Sequence, residues 1–153
     1  MNAADGMNTG PGLLEAVAVA QRAHDGQLDK HGLPYVAHCM RMAEGFPDER
    51  HQVVALLHDV VEKGRGWNLE RLRMLGFDAG ILAAVDAMTR REGEAEDDFV
   101  RRALRNPLAC TVKLADLRDN FRQALQTRRN PAKYRRGLEL AEQYLGCAGS
   151  AGR

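Results

Sequence analysis

The sequence predicts an all-α fold, a single-domain helical bundle of about eight helices. Aromatic residues make up only 5% of the 153 residues, so the core must consist mainly of Leu, Val, Ala and Met, which suit helices better than a β-sandwich. Apolar residues recur at helical spacing in successive segments, and no segment shows the alternation of a half-buried strand. This length, with 44% hydrophobic residues, favours one domain with its own core.

Start and stop signals divide the chain into eight predicted helices. Asp48, Asn68 and Asn106 are expected N-caps, and Pro34 and Pro107 fit first turns, where a missing N–H is harmless. Glycines mark several of the helix ends. The predicted helices run from Leu13 to His24, Pro34 to about Gly45, Asp48 to about Gly64, Leu69 to Leu75, Asp78 to Met88, Glu94 to Arg105, Pro107 to about Gln126, and Pro131 to about Gly146.

The two ends of the chain are expected to lie outside the bundle. Residues 1–12 are rich in Gly and Asn and are predicted to form a flexible N-terminus. Residues 13–146 form the predicted helical domain, and residues 147–153 are predicted to be a C-terminal tail.

Cysteine usage and hydropathy indicate the compartment. The three cysteines, Cys39, Cys110 and Cys147, lie far apart and form no CxxC pair, which argues against a disulfide framework or a zinc ribbon and fits a reducing compartment. No stretch approaches the ~18 apolar residues of a membrane span, and the N-terminus lacks the features of a secretory signal. We therefore expect a cytoplasmic protein with no membrane partner.

Charge is unevenly distributed, although the formal net charge is only +1. Residues 1–62 carry 4 basic and 9 acidic side chains, whereas residues 101–136 carry 11 basic and 2 acidic ones. Solvated helix faces explain most of these charges, and a positive rim that attracts a small phosphate-bearing ligand is the functional interpretation. Nucleic acid is disfavoured as a partner, because no aromatic residues interleave with the basic ones and no binding motif is present.

A His and an Asp lie side by side within the apolar run 53–62, and Glu62 follows three residues after the Asp. The run suits a buried helix, on which Glu62 lies one turn beyond both His58 and Asp59. Burying two potential charges is unfavourable unless something pairs with them. A His-Asp dipeptide alone is more often structural, but a divalent metal would satisfy this pair, because imidazole nitrogen and carboxylate oxygen are common metal ligands.

Two further residues favour the metal interpretation. His38 lies upstream and Asp116 downstream, each in an apolar helical setting. Together with His58 and Asp59 they supply two imidazoles and two carboxylates, a suitable ligand set for one cation with open positions for water and substrate.

The seventh predicted helix presents a polar stripe. Lys113, Asp116 and Asn120 fall at positions i, i+3 and i+7 and therefore share one face. Such a stripe beside apolar residues indicates that something polar packs against it. Arg118 and Asp119 are expected to point elsewhere, at the surface.

Three segments of the chain form a recognisable pattern in their order and spacing. They are Ala23-His24-Asp25-Gly26-Gln27…Lys30…Gly32…Pro34-Tyr35…His38, Ala55-Leu56-Leu57-His58-Asp59-Val60-Val61-Glu62 and Val112-Lys113-Leu114-Ala115-Asp116…Asn120. With them the chain resembles the HD-domain phosphohydrolases, and more closely the RelA/SpoT-type alarmone hydrolase domain with its small stand-alone forms. The resemblance covers about two-thirds of the chain, and implies a helical bundle of the HD-domain type and metal-dependent hydrolysis of a nucleotide. Guanosine 3′,5′-bis(diphosphate), ppGpp, is then the lead substrate.

Matched position by position, the resemblance implies roles for individual residues. Glu62 corresponds to the first acid of the family's HDxxED motif, which positions the attacking water. Lys30 corresponds to a basic residue that contacts the nucleotide, and Asn120 to one that contacts its sugar. Lys113 is expected either to neutralise phosphate charge or to hold a ligand carboxylate. The implied metal ligands, usually for Mn²⁺, are His38, His58, Asp59 and Asp116.

Two residues depart from the family pattern. Lys63 stands where the motif has its second acid, so the charge beside the proposed water is reversed. We expect Lys63 to lie at the reacting centre with Glu62 and to bind phosphate there rather than act as a base. Asp29 stands before Lys30, where alarmone hydrolases often have a basic residue. The alternatives are therefore hydrolysis of a different nucleotide mono- or polyphosphate, and a non-catalytic, metal-bearing nucleotide sensor. The length leaves no room for the companion synthetase domain.

Overall fold

The computed structural model describes residues 10–150 of the chain. Within that range it contains nine helices and no strand, apart from an isolated bridge between Leu28 and Pro34, so the predicted all-α fold is confirmed. Residues 1–9 of the predicted N-terminus and residues 151–153 of the predicted tail lie outside this range. The helices are α1 (Leu13–Ala23), α2 (Val36–Glu44), α3 (Glu49–Leu57), α4 (Val60–Lys63), α5 (Leu69–Met74), α6 (Ala79–Ala87), α7 (Glu96–Arg105), α8 (Pro107–Gln126) and α9 (Ala132–Ser150).

Side-chain caps begin the helices where the sequence predicts them. Asp48, Asn68 and Asn106 each accept a hydrogen bond from a backbone N–H in the first turn of α3, α5 and α8. Asp78 does the same for α6, and Pro107 occupies the first position of α8. Each cap satisfies an N–H group that the helix itself leaves unpaired, which is worth about 1 kcal/mol.

The predicted third helix is two helices, because the chain leaves helical geometry between Leu57 and Val60. The His58 Nδ1 atom lies 2.5 Å from the carbonyl oxygen of Ala55. In a continuous helix that carbonyl would accept from the amide of Asp59, four residues on. The histidine ring thus competes with the helix for this acceptor at the point where the helix breaks.

The last helix is longer than predicted. It continues to Ser150, beyond the expected end at Gly146. A single exposed glycine inside a helix costs about 1 kcal/mol relative to alanine, which does not by itself end a helix. None of the described helices is long and apolar enough to cross a membrane.

Two groups of buried side chains form the core. The larger one lies between α1, α2, α3 and α6, and α3 packs against all three of these helices and against α8. The smaller one lies between α7, α8 and α9 and comprises Val100, Leu104, Leu117, Leu140 and Ala141. Helix α8 belongs to both, because Val112 is buried in the first group and Leu117 in the second.

Candidate metal centre and its cleft

Four side chains from separate parts of the chain meet at the bottom of a cleft. His38 comes from α2, His58 and Asp59 from the break between α3 and α4, and Asp116 from α8. One potential ligand atom from each lies within 4.8 Å of the others. The His38 Nε2 atom is 3.3 Å from Asp116 Oδ1, and the His58 Nε2 atom is 3.0 Å from Asp59 Oδ2. The structure therefore brings together all four residues of the predicted ligand set.

The break after Leu57 lets adjacent residues serve one site. Neighbouring side chains on a regular helix diverge by about 100°, so His58 and Asp59 could not both face one point there. Asp59 has φ −106° and ψ 1°, outside helical geometry, whereas His58 remains helical. The change in backbone direction turns the two side chains toward each other.

The two histidines direct an unpaired nitrogen toward the carboxylates. A backbone carbonyl can only accept, so the contact with Ala55 places a hydrogen on Nδ1 of His58 and leaves Nε2 as the atom that holds either a proton or a cation. Both imidazoles are 1% exposed, and within the described residues neither Nε2 atom makes an aligned hydrogen bond. Buried polar atoms normally have partners. Two such nitrogens facing two carboxylates fit the donor set of a divalent cation.

The two histidines and the two aspartates shift one another's pKa values in opposite directions. Burial lowers the pKa of both histidines, but the surrounding carboxylates raise it by more, so the pKa of His38 is raised and that of His58 lies well above its ordinary value. Burial raises the pKa of Asp59 and Asp116, but the histidines lower it further, and both end below the ordinary range. Without a cation, protons on the imidazoles compensate the two carboxylates, and a metal ion would replace those protons.

Tyr35 supports the centre from behind, although the sequence indicated no role of its own for it within the first motif segment. Its hydroxyl donates to Asp59 Oδ2 at 2.5 Å. Burial and the charge of Asp59 raise the pKa of Tyr35, so the phenol keeps its proton and remains a donor. This hydrogen bond fixes one oxygen of the Asp59 carboxylate.

His24 is buried beside the Tyr35 ring, at 4.9 Å between centroids, and lies outside the group of four. Its Nδ1 atom lies 2.8 Å from Oε1 of Gln27, whose amide nitrogen donates to the carbonyl of Lys63 at 2.7 Å. His24 therefore packs at the end of α1, and with Gln27 it connects that end of α1 to the end of α4.

An open cleft of about 120 Å³ lies above the group of four. Four lysines and four carboxylates line it, so a bound divalent cation would leave the cleft with a net positive charge. These residues are Lys30, Lys63, Lys113 and Lys133, and Asp59, Glu62, Glu96 and Asp116.

Four predicted catalytic and nucleotide-binding residues lie in this cleft. Glu62 and Lys63, both exposed on α4, line one side, and the Lys63 ammonium lies 4.6 Å from the centroid of the Tyr35 ring. On another side, Lys30 donates to Asn120 Oδ1 at 2.6 Å. The amide nitrogen of Asn120 in turn donates to Asp116 Oδ1 at 2.7 Å, which connects this pair to the metal centre.

Lys113 occupies a position that fits both of its expected roles. It is 4% exposed, with its ammonium 3.6 Å from Asp116 Oδ2 and 4.2 Å from the centroid of the Phe99 ring. The first contact holds a carboxylate of the metal centre. Because Lys113 also lines the cleft, its charge is available to an anionic ligand as well.

The expectation for Asp119 was wrong. It is only 5% exposed, and its Oδ2 atom lies 2.6 Å from Nδ1 of His38. Positions i and i+3 of a helix lie close together, and α2 packs against α8 here, so Asp116 and Asp119 contact opposite sides of the same imidazole. Arg118, in contrast, is exposed as expected.

Asp29 has a structural role at the base of the loop that carries Lys30. Its Oδ1 atom accepts from the backbone N–H groups of His31 and Leu33, at 2.8 Å and 3.0 Å. Such side-chain-to-backbone bonds are typical of aspartate in tight turns. The acid at this position therefore holds the loop in shape.

Sequence reasoning did not identify the outer wall of the cleft. It consists of Glu96 and Phe99 on α7 and of Lys133 and Tyr134 on α9, which lie apart from the three motif segments. The Lys30 ammonium lies 5.0 Å from the centroid of the Tyr134 ring, so the two walls approach each other. The start signal at Pro131 does place Lys133 and Tyr134 in the first turn of a helix, but nothing local indicates what that turn faces.

The chain is similar in sequence to part of several GTP pyrophosphokinases. The chain is 33% identical over 144 residues to a probable GTP pyrophosphokinase of Mycobacterium leprae and 33% identical over 143 residues to a GTP pyrophosphokinase of Streptomyces coelicolor. Each match covers 84% of this chain but only 18% and 17% of the relatives, so the chain spans less than a fifth of their length. No family model matches the chain.

A solved structure has the same fold. It is described as a metazoan ortholog of SpoT that hydrolyses ppGpp, and it superposes with a TM-score of 0.66 at 24% identity. The match covers 88% of this chain and 83% of that one. The shared architecture therefore extends beyond the motif segments to most of the helical bundle.

Proposed function

We propose that the chain is a metal-dependent phosphohydrolase acting on a phosphorylated nucleotide. Its fold, which matches that of a SpoT ortholog that hydrolyses ppGpp, and its sequence similarity to GTP pyrophosphokinases support this proposal. One observation carries the proposal. Two buried imidazoles with unpaired Nε2 atoms and two carboxylates converge within 4.8 Å at the bottom of a cleft lined by four lysines. A cation and a phosphate-bearing ligand are the chemical partners that such groups fit.

The cation would be held by His38, His58, Asp59 and Asp116, and we propose Mn²⁺ as the lead candidate. Imidazole together with carboxylate suits Mn²⁺ and other first-row divalent ions. A cation bound there supplies a Lewis acid that polarises a phosphoryl oxygen and acidifies water. Tyr35 and Lys113 each hold one carboxylate in place, and His58 is oriented by the Ala55 carbonyl.

Glu62 is the proposed general base. It lines the cleft one turn after Asp59, and its carboxylate is free to accept a proton from a water that attacks the phosphorus atom. A positioned base contributes about 10²–10⁴-fold to such a reaction. For ppGpp, the water oxygen would bond to the phosphorus attached to the 3′ oxygen and give up its proton to Glu62. The bond from that phosphorus to the 3′ oxygen would break, the 3′ oxygen would take up a proton, and GDP and pyrophosphate would be the products.

The lysines and Asn120 are the proposed substrate-binding residues. Lys30 and Asn120 contact each other, so together they present an ammonium group and an amide to the sugar and phosphates of the nucleotide. Lys63 and Lys113 flank the metal centre and would neutralise phosphate charge as it develops. A guanosine 3′-pyrophosphate is the lead substrate, and another nucleotide mono- or polyphosphate is the alternative within the same class.

Lys63 supports a second candidate function, a metal-bearing nucleotide sensor without turnover. Lys63 follows Glu62 in the chain, and its ammonium lies 4.6 Å from the centroid of the Tyr35 ring, so it adds a positive charge to the wall of the cleft that carries the proposed base. A site that binds the nucleotide but hydrolyses it slowly would have this arrangement.

A substrate panel separates the two functions. Mn²⁺-loaded protein is incubated with guanosine and adenosine mono- and polyphosphates, including ppGpp, and released phosphate and pyrophosphate are measured. Turnover that Glu62→Gln abolishes without loss of Mn²⁺ binding supports the enzyme. Tight nucleotide binding without release supports the sensor. A wild-type protein that binds neither Mn²⁺ nor any nucleotide of the panel refutes both.

A further inference from the structure

Asp119 is a buried carboxylate with an unusual number of partners. It lies on α8, on the far side of the His38 ring from the metal centre. Its Oδ2 atom lies 2.6 Å from His38 Nδ1 and accepts from Gln123 Nε2 at 2.5 Å and from Arg41 at 3.3 Å. Its Oδ1 atom accepts from Arg122 at 2.9 Å. Two guanidinium groups, an amide and an imidazole thus converge on one carboxylate.

These partners determine where the proton between Asp119 and His38 lies. A carboxylate that accepts from two guanidinium groups and an amide stays ionised, so it can only accept from the imidazole. Nδ1 of His38 therefore carries a hydrogen, and Nε2, 3.3 Å from Asp116 Oδ1, is the nitrogen that holds the exchangeable proton without metal and would face the cation with it. His58 reaches the same tautomer by a different route, through the neutral carbonyl of Ala55.

We propose that Asp119 is the positioning residue of the metal centre: it fixes the tautomer and ring orientation of His38, so that Nε2 faces the cation. This inference rests on the proposed function, because it presumes that the four residues hold a metal. A carboxylate partner also polarises the imidazole N–H more strongly than a neutral carbonyl does, which makes Nε2 of His38 a better ligand than it would be without Asp119. Loss of such a partner typically weakens metal binding about 10–100-fold.

Packing alone does not account for this arrangement. Burying a carboxylate is costly unless charged donors compensate it, and an apolar side chain of similar size would fill the same space without that cost. Here Arg41 and Arg122, whose side chains are 41% and 65% exposed, extend from the surface to a carboxylate that is 6% exposed. The arginines thus compensate the buried charge of Asp119, which in turn holds the proposed ligand His38.

The test measures metal affinity and the state of the His38 ring. Mn²⁺ binding is followed by titration calorimetry in wild type, Asp119→Asn, Asp119→Ala and the control Asp98→Asn, which changes an exposed carboxylate of α7 paired with Arg101. Asp119→Asn keeps the shape and an acceptor, so we expect about 10-fold weaker binding, and Asp119→Ala about 100-fold weaker binding. The control should bind as wild type does. Circular dichroism and urea unfolding with chelator give the folded fraction of each variant.

Nitrogen-15 NMR of the metal-free wild type, above the raised pKa of His38, tests the tautomer without any substitution. We expect the hydrogen on Nδ1 in wild type and a mixture of tautomers in Asp119→Ala. Hydrogen on Nε2 of wild-type His38, or variants that lose stability but bind Mn²⁺ as tightly as wild type, would overturn the inference and leave the proposed function standing. If wild type itself binds no divalent cation, the proposed function fails, and the inference fails with it.

Discussion

Replacing Asp116 with asparagine tests two properties of this residue separately: its contribution to the folding stability of the metal-free protein and its contribution to metal binding. Asp116 Oδ1 lies 3.3 Å from His38 Nε2 and 3.5 Å from His58 Nε2, and Oδ2 lies 3.6 Å from the buried ammonium of Lys113. Asparagine keeps the volume but removes the charge. The histidines can then release their protons, whereas the buried side chain of Lys113 loses its carboxylate partner. Breaking a buried pair costs about 3–5 kcal/mol, and because Lys113 keeps its Phe99 contact we expect about 3 kcal/mol in the metal-free protein.

The same substitution should abolish stabilisation by metal. Wild type in Mn²⁺ at a hundred times its Kd should gain about 2.7 kcal/mol in the free energy of unfolding. If Asp116→Asn weakens binding by about a hundredfold, the gain at the same Mn²⁺ concentration falls to about 0.4 kcal/mol. Both quantities come from urea unfolding followed by circular dichroism, with chelator and with Mn²⁺.

Asp98→Asn is the matched control for this experiment. It removes a carboxylate that is 68% exposed, so its free energy of unfolding should stay within about 0.5 kcal/mol of wild type and its gain from Mn²⁺ should be unchanged. A full metal-induced gain in Asp116→Asn would refute the assignment of Asp116 as a ligand. An unchanged metal-free stability would show that Lys113 does not depend on it.

Four further substitutions test other parts of the molecule. Arg102→Lys should lower the free energy of unfolding by about 1–3 kcal/mol in urea titrations, because lysine cannot reproduce the guanidinium's bonds to both Glu94 oxygens and to two backbone carbonyls. Hydrogen bonding from Arg102 lowers the pKa of Glu94 from 4.5 to about 2, so the ionised Glu94 stabilises the fold fully above pH 4.5 and loses this effect as the pH falls toward 2. In Glu94→Gln, the free energy of unfolding should therefore fall less between pH 4.5 and pH 2 than in wild type. An equal fall in both proteins would contradict this role of Glu94. Gly64→Ala would place a methyl 2.5 Å from a backbone oxygen and 2.9 Å from two side chains, which should cost about 1–3 kcal/mol in thermal unfolding, whereas the unhindered control Gly146→Ala should stabilise by about 0.5–1 kcal/mol. Lys63→Asp places the motif's second acid in the proposed site and, under the proposed function, should raise ppGpp hydrolysis at unchanged Mn²⁺ affinity; equal hydrolysis by both forms would contradict this expectation.

Local signals predicted most of the fold. Asp48, Asn68 and Asn106 cap helices as expected, because capping depends on a side chain and the backbone within three residues of it. The break between α3 and α4 was missed, because it arises when the His58 ring takes a backbone acceptor. An apolar run contains no sign of that competition.

The candidate site was predictable only where a motif carries it. The four proposed ligands were named from residue types and spacing, and the structure places them together. Asp119 was wrongly assigned to the surface. Its burial depends on how α2 packs against α8 and on two arginines that lie 3 and 78 residues away in the chain, and the local sequence shows neither. Long-range packing of this kind has no local signature in a single sequence.

The division of the core into two apolar groups has a consequence for how the cleft could diversify. The proposed ligands are anchored on helices of the larger group and on α8, whereas the opposite wall, with Phe99, Lys133 and Tyr134, is anchored on α7 and α9. Substitutions of Lys133 and Tyr134 on that wall should therefore change which molecule the cleft fits and leave the proposed ligands in place, whereas Phe99 also contacts Lys113 and through it Asp116. A chain of this design could acquire a new preference by substitutions on α9, without rebuilding the proposed metal centre.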